Sequence, residues 1–397
     1  MTIEDGQSSG STGGGILNVS STLTLINDVL SNNVAIGRTT VDRAAEGGAI
    51  SNQNGATLTV SGCKFWGNQA LGKDYGNAFG GAIYNLNSAA TITNSRFTNN
   101  LAQGGAGGNS PVGTINSGFA LGGAVVNDVN ATLSISGCTF TANEAQGGSN
   151  VAGQPTGRNV GTGSGGGLFD AGVATVTDCT FTDNKAAGGN SNTGGSSVVR
   201  IGDGIGGGLG TVVAFTYAQS LTVTGCTFTN NEAVGGTENT GGVLTGDGIG
   251  GGLAVFFGAS VTLTNSAFCG NQAVGSDGGA GQSGGDGLGG GIANFAGSSL
   301  IVSGCTFSGN QATGGAGGTG ANGGKGFGGG IYNDGTSTLT VTGSTIAGNQ
   351  ATGGTAGRGQ GGGLYLGYGA TVCLDVFTLN HTTGNTPDDI YGPYTLT

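Results

Sequence analysis

Short runs in which apolar residues alternate with Thr or Ser return along the whole chain. Leu58-Thr59-Val60-Ser61-Gly62-Cys63-Lys64-Phe65 is one copy, and Leu221-Thr222-Val223-Thr224-Gly225-Cys226-Thr227-Phe228 is another. A period of two belongs to a half-buried strand, and no segment carries the 3.6 period, so the pattern predicts strands and no helix. Each run follows a Gly-Gly doublet, a small residue and an aliphatic one, from Ile16, Ile50 and Ile83 to Ile331 and Leu364. A large apolar slot runs from Leu30 and Phe65 to Ile346 and Phe377, and three residues beyond it every copy has Asn, from Asn33 and Asn68 to Asn349 and Asn380.

Self-similarity of this kind overrides a domain count based on length, because each repeat is one unit that cannot bury its apolar face alone. Between the two alternating stretches one slot holds Asn27, Gly62, Asn94, Gly137, Asp178, Gly225, Asn265, Gly304 and Gly343, with Leu374 the exception. Gly, Asn and Asp tolerate positive φ, so a left-handed turn is expected there, which lets Val60 and Cys63 both face inward. The expected fold is all-β: a right-handed parallel β-helix of about ten coils, three strands per coil, stacked about 4.8 Å apart. Residues 1–12 are expected as a lead-in, 13–382 as the β-helix and 383–397 as a closing segment.

Composition narrows the function. The 397 residues include 94 Gly and 4 Pro, and only 8% are charged, with 35% hydrophobic content. Disorder of the highly charged kind and collagen are excluded, since Gly follows no three-residue period. Ten Lys plus Arg against 21 Asp plus Glu, net charge -11, argue against a nucleic-acid partner. No apolar run is long enough for a transmembrane segment, and Met1 to Thr12 lacks the regions of a signal peptide, so an export signal or anchor is expected outside this chain.

At Gly47–Ile50, Gly80–Ile83 and Phe65/Asn68 the chain resembles the polymorphic outer-membrane protein repeats of Chlamydia type, with their Gly-Gly-Ala-Ile and Phe-x-x-Asn signatures. Asn385-Thr386-Pro387-Asp388-Asp389-Ile390-Tyr391-Gly392 is similar to the closing segment of such arrays in large secreted bacterial proteins. The resemblance implies a non-enzymatic module at the bacterial cell surface or outside it, acting as a rigid stalk or in adhesion, with a surface or glycan partner.

Candidate chemistry is sparse. The lone His381 has no visible acid-base partner. A polysaccharide lyase or hydrolase is the alternative function, and outward Thr pairs such as Thr175/Thr177 and Thr222/Thr224 make ice binding a third. Tyr84, Phe169, Tyr332 and Tyr365 stand near the loop edge as candidate sugar-stacking residues. Cys63, Cys138, Cys179, Cys226 and Cys305 share a small inward slot, whereas the pairing of Cys269 and Cys373 is left open by the odd total of seven. Asp203, Asp247 and Asp286 fall in register before three successive doublets, followed by Lys325 and Arg358. Stacked carboxylates repel, and raised pKa values, solvent or a bound cation must relieve this; no cofactor is expected unless the relief is a cation, in which case it is one weak calcium site bridging these three.

Overall fold

Each coil bends where its backbone enters the left-handed region. All nine of the Gly, Asn and Asp residues singled out between the alternating stretches have positive φ, from Asn27 at 56° to Gly343 at 55°. Two further corners recur: at the first glycine of the doublet, as in Gly165 (φ +67), and just before the repeated Asn, as in Asp183 (φ 53). The structure, a computed structural model, describes the chain except residues 39–42, 112–115, 154–158, 196–197, 212–219 and 243.

The extra corners divide a coil into five short strands rather than three. In the fifth coil these are Gly163–Ser164, Leu168–Asp170, Val173–Thr177, Thr180–Thr182 and Lys185–Ala187. Among the described residues their counterparts pair in parallel, in register, into sheets of nine, eleven, eleven, eleven and ten strands, and the molecule is a parallel β-helix. A sixth, four-stranded sheet lies within the insertions: Asn116–Ser117, Asn159–Val160, Arg200–Ile201 and Leu244–Thr245. Those insertions are therefore stacked too, over a small core of Val151, Val160, Val198 and Ile201.

The main interior is one continuous cluster of doublet aliphatics, Leu/Val pairs, small Cys or Ser residues and the Phe row. Phe65, Phe97, Phe140, Phe181, Phe228, Phe268 and Phe307 are fully buried and stack face to face at 4.5 to 5.0 Å. This spacing is imposed by the strand separation, about 4.8 Å, and not by the rings' own preference for offset or edge contacts. Beside it, the first and fifth sheets press together in a narrow neck. A Cβ added at Gly204 would meet the Val234 carbonyl oxygen at 2.3 Å and that of Ala186 at 2.4 Å, so only glycine fits.

Each ladder Asn is buried and donates three bonds. Asn184 Nδ2 donates to Asn231 Oδ1 (2.9 Å) and to the Phe140 carbonyl (2.9 Å), and its main-chain N–H donates to the same Oδ1 (3.1 Å). A buried amide costs free energy unless its donors and acceptors are matched, and here the next coil supplies the match.

The last coil departs from the repeat. Val376–Asn380 form a helix, α1, with Asp375 as N-cap accepting from the Thr378 N–H at 2.8 Å. The expectation of no helix fails at this point, where Leu374 stands in the slot that elsewhere supplies the turn. Phe377 is 47% exposed, and Thr382 takes its rung by pairing with Ile346. Asn385, not Asn380, continues the Asn ladder, accepting from Asn349 Nδ2 at 2.9 Å. At the other end Thr2–Glu4 pairs with Val29–Ser31, setting Ile3 against Leu30, so the expected lead-in adds strands to the stack. Among the described residues no helix is long and apolar enough to cross a membrane.

Candidate functional site

The three aspartates occupy the residue at which each insertion re-enters the body of the rod. There the chain must hand its main-chain N–H groups to the next coil, and a short acceptor side chain can take one. Asp203 Oδ1 accepts from the Asp247 N–H (3.0 Å), Asp247 Oδ1 from that of Asp286 (2.7 Å), and Asp286 Oδ1 from that of Lys325 (2.7 Å). Burial declines along the row: Asp203 is 0% and Asp247 4% exposed, and the Asp286 side chain is 28% exposed. Burial lifts the Asp203 carboxyl to about 7 against the opposing pull of Arg200. Asp247 is raised well above the carboxylate range by burial, then by Asp203 and Asp286.

Arg200 is the buried cation of this region. Its guanidinium carbon lies 4.1 Å from the centre of the Phe256 ring and 5.1 Å from that of Phe257. Burial lowers its pKa while Asp203 and Asp247 hold it up, so desolvation works against both signs of charge here. Lys325 Nζ stands 4.0 Å from Asp286 Oδ2.

Outside this row opens a cleft of about 350 Å³, walled by Asn239, Thr245, Asp247, Gln282, Ser283 and Asp286 among others. Asp203 is not in its wall. Among the described residues no group of three His, Cys, Asp or Glu side chains is gathered as metal ligands. The expected three-acid bridge therefore does not form: the coils bring Asp247 and Asp286 to one cleft and seal Asp203 beneath it.

The aromatic candidates fall into two sets. Tyr84 and Phe169, expected at an exposed edge, are only 3% and 2% exposed, within a cluster that includes Phe119, Leu121 and Val126. Tyr84 donates its hydroxyl to Asp128 at 2.7 Å. These rings cannot meet a sugar, because the outer side of the rod carries a small apolar core there. Tyr332 and Tyr365 are half-buried, but Tyr365 stacks between Tyr332 (5.2 Å) and Tyr391 (5.3 Å), and Tyr332 also stacks on Phe295 (5.8 Å). Their faces are covered by one another, so they offer edges and not stacking platforms.

The other motifs find structural uses. The Thr pairs stand in register on the threonine-rich sheet, where Thr224 and Thr264 hydroxyls bond each other at 3.0 Å, and exposed Ile301 interrupts the array. Thr139/Thr141, Thr180/Thr182 and Thr227/Thr229 form a second array flanking the Phe row. All seven cysteines are free, and the five in the small slot are buried. Their sulfurs accept N–H groups across coils, as Cys179 Sγ does from Cys138 at 3.3 Å. His381 is exposed and stacks on Phe377 at 3.9 Å.

Sequence reasoning missed Arg200, Gln282 and Ser283, which lie in insertions whose sequences do not repeat. It also missed a second buried ladder, Asn18, Asn52, Asn85, Asn127 and Asp170, linked by side-chain bonds of 2.7 to 2.9 Å. That signal was available, two residues beyond each doublet aliphatic. No protein-family model matches the chain, and neither a curated protein nor a solved structure does.

Proposed function

We propose that the chain is a non-enzymatic β-solenoid of the cell surface or extracellular space, a rigid spacer that presents a ligand-binding edge. The observation that carries this reading is the unbroken Asn row from Asn33 to Asn385, which joins every coil to the next without a hinge. Stiffness follows, because bending would lengthen main-chain and side-chain bonds together. The edge is supplied by the stacked insertions, the usual place for function on repeat scaffolds. Immunogold labelling of intact source cells, with the purified chain imaged by electron microscopy, tests both halves. Labelling only after lysis, or bent particles, would overturn the reading.

A carbohydrate-cleaving enzyme is the second reading, favoured by Asp247 and Asp286 sharing one polar cleft. Two carboxyl groups of unequal burial suit general acid and base roles. Release of reducing ends from a polysaccharide panel, lost in Asp286→Asn, would establish it in place of the first.

A further inference from the structure

Asp247 presents a chemical problem that the rod does not solve. It is more than nine-tenths buried, it walls the cleft, and its Oδ1 is taken by the Asp286 N–H. Its Oδ2 receives no hydrogen bond among the described residues. Asp286, one coil on, adds a second carboxylate to the same wall. The nearby cations offset the pair from a distance and donate no hydrogen bond to Asp247: Arg200 acts on it through its charge while lying over Phe256 and Phe257, and Lys325 Nζ stands 4.0 Å from Asp286 Oδ2. The polar side chains of the wall are carboxylates, amides and hydroxyls, with no imidazole or thiol. Oxygen donors of this kind suit a hard cation, and an adaptable, open set suits calcium better than the smaller magnesium with its strict octahedron.

We infer that the cleft is a calcium site in which Asp247 and Asp286 supply the charge and Gln282 and Ser283 supply neutral oxygens. Asp203 is not a ligand: sealed beneath the cleft, it acts on the site only through its charge and through the Asp247 amide it holds. Two protein carboxylates rather than three place the affinity in the weak range of extracellular modules, about 0.1–1 mM. The cleft has room for the ion with several waters, which complete its shell. A ligand bridging successive coils would also tie two insertions together. The inference is independent of the surface reading, because binding is measured on the isolated chain.

Titration calorimetry of calcium chloride into the EDTA-treated full chain tests it. One site is expected, weakened at least about tenfold in Asp247→Asn and in Asp286→Asn. Asp183→Asn, at an acid outside the cleft, should leave it unchanged, and magnesium should bind more weakly. Asn can still accept the amide bond at position 247, and circular dichroism of each variant checks the fold. No heat up to about 10 mM calcium, well above that range, would overturn the inference. So would equal affinity in wild type and both cleft variants, or equal binding of magnesium, either of which signifies attraction to overall acidity.

Discussion

The guanidinium of Arg200 covers the ring of Phe256 at 4.1 Å, three residues before the buried Asp203. A cation held against an apolar ring, with a carboxyl nearby, keeps its charge only because acid and ring both favour it. Arg200→Met retains a long stem over Phe256 and removes that charge. At pH 8, one unit above the value near 7, Asp203 is mostly ionised, and the variant should lose about 1–1.5 kcal/mol in urea unfolding. At pH 5, below the value near 7 at which folded Asp203 titrates, the acid carries its proton and most of the loss should disappear. An equal loss at both pH values would remove the proposed coupling.

Asp170 makes a second, separable pH test. It stands in register between Asn127 and Thr211, accepts from Asn127 Nδ2 at 2.8 Å, and is lifted to about 6 by burial. A carboxyl raised above its unfolded value of 3.8 favours the fold at low pH, and that stability is lost as pH rises from about 4 to about 6. Asp170→Asn should therefore be more stable than wild type above pH 7, by about 1–3 kcal/mol. Thermal unfolding across pH checks the sign: the difference should vanish near pH 4.

Phe181 is stacked between Phe140 and Phe228 at 4.6 and 4.7 Å, with tilts of 5° and 3°. Neighbouring coils are fixed by strand pairing and cannot close a gap. Phe181→Ala should cost about 3–5 kcal/mol, and a loss below about 1 kcal/mol would show that the stack can relax.

In the last coil, Asn385→Ala should destabilise by about 2–4 kcal/mol, since it removes the acceptor of Asn349 and leaves buried donors unmatched. Asn380→Ala, at the end of α1, should change stability by less than about 0.5 kcal/mol. The reverse order in denaturant unfolding would restore the simple repeat register.

Most of the architecture was legible because the rod repeats its constraints. Nine positive-φ corners, the Phe row and the Asn row each recur at one slot, so chance similarity is averaged away. The two-residue strands such as Gly163–Ser164 were not, because a strand that short holds no alternation to detect. Leu374 was visible as the one break in its slot, but local sequence does not show that Asp375 would cap a helix after it. The cleft was only half visible. Asp247 and Asp286 stood in register, whereas Gln282 and Ser283 reach the wall by the path of a unique insertion. Tyr84 and Phe169 misled because an outward slot was taken for an exposed one.

The buried Asn row has a direction. From one ladder side chain to another, each Nδ2 gives a hydrogen to the Oδ1 of the coil that follows, from Asn33 to Asn349, while its other hydrogen goes to a main-chain carbonyl, as from Asn184 to Phe140. Aligned amide dipoles polarise one another, so a row running one way is held more firmly than the same bonds in mixed senses. The relay stops at Asp389, which accepts the Asn385 side-chain hydrogen at 2.9 Å and, as a carboxylate, has none to pass on. A whole coil could be duplicated or removed anywhere along the row and the sequence of donors would still close. Inverted, the same coil would set oxygen against oxygen, so the rod can change in length but not in sense.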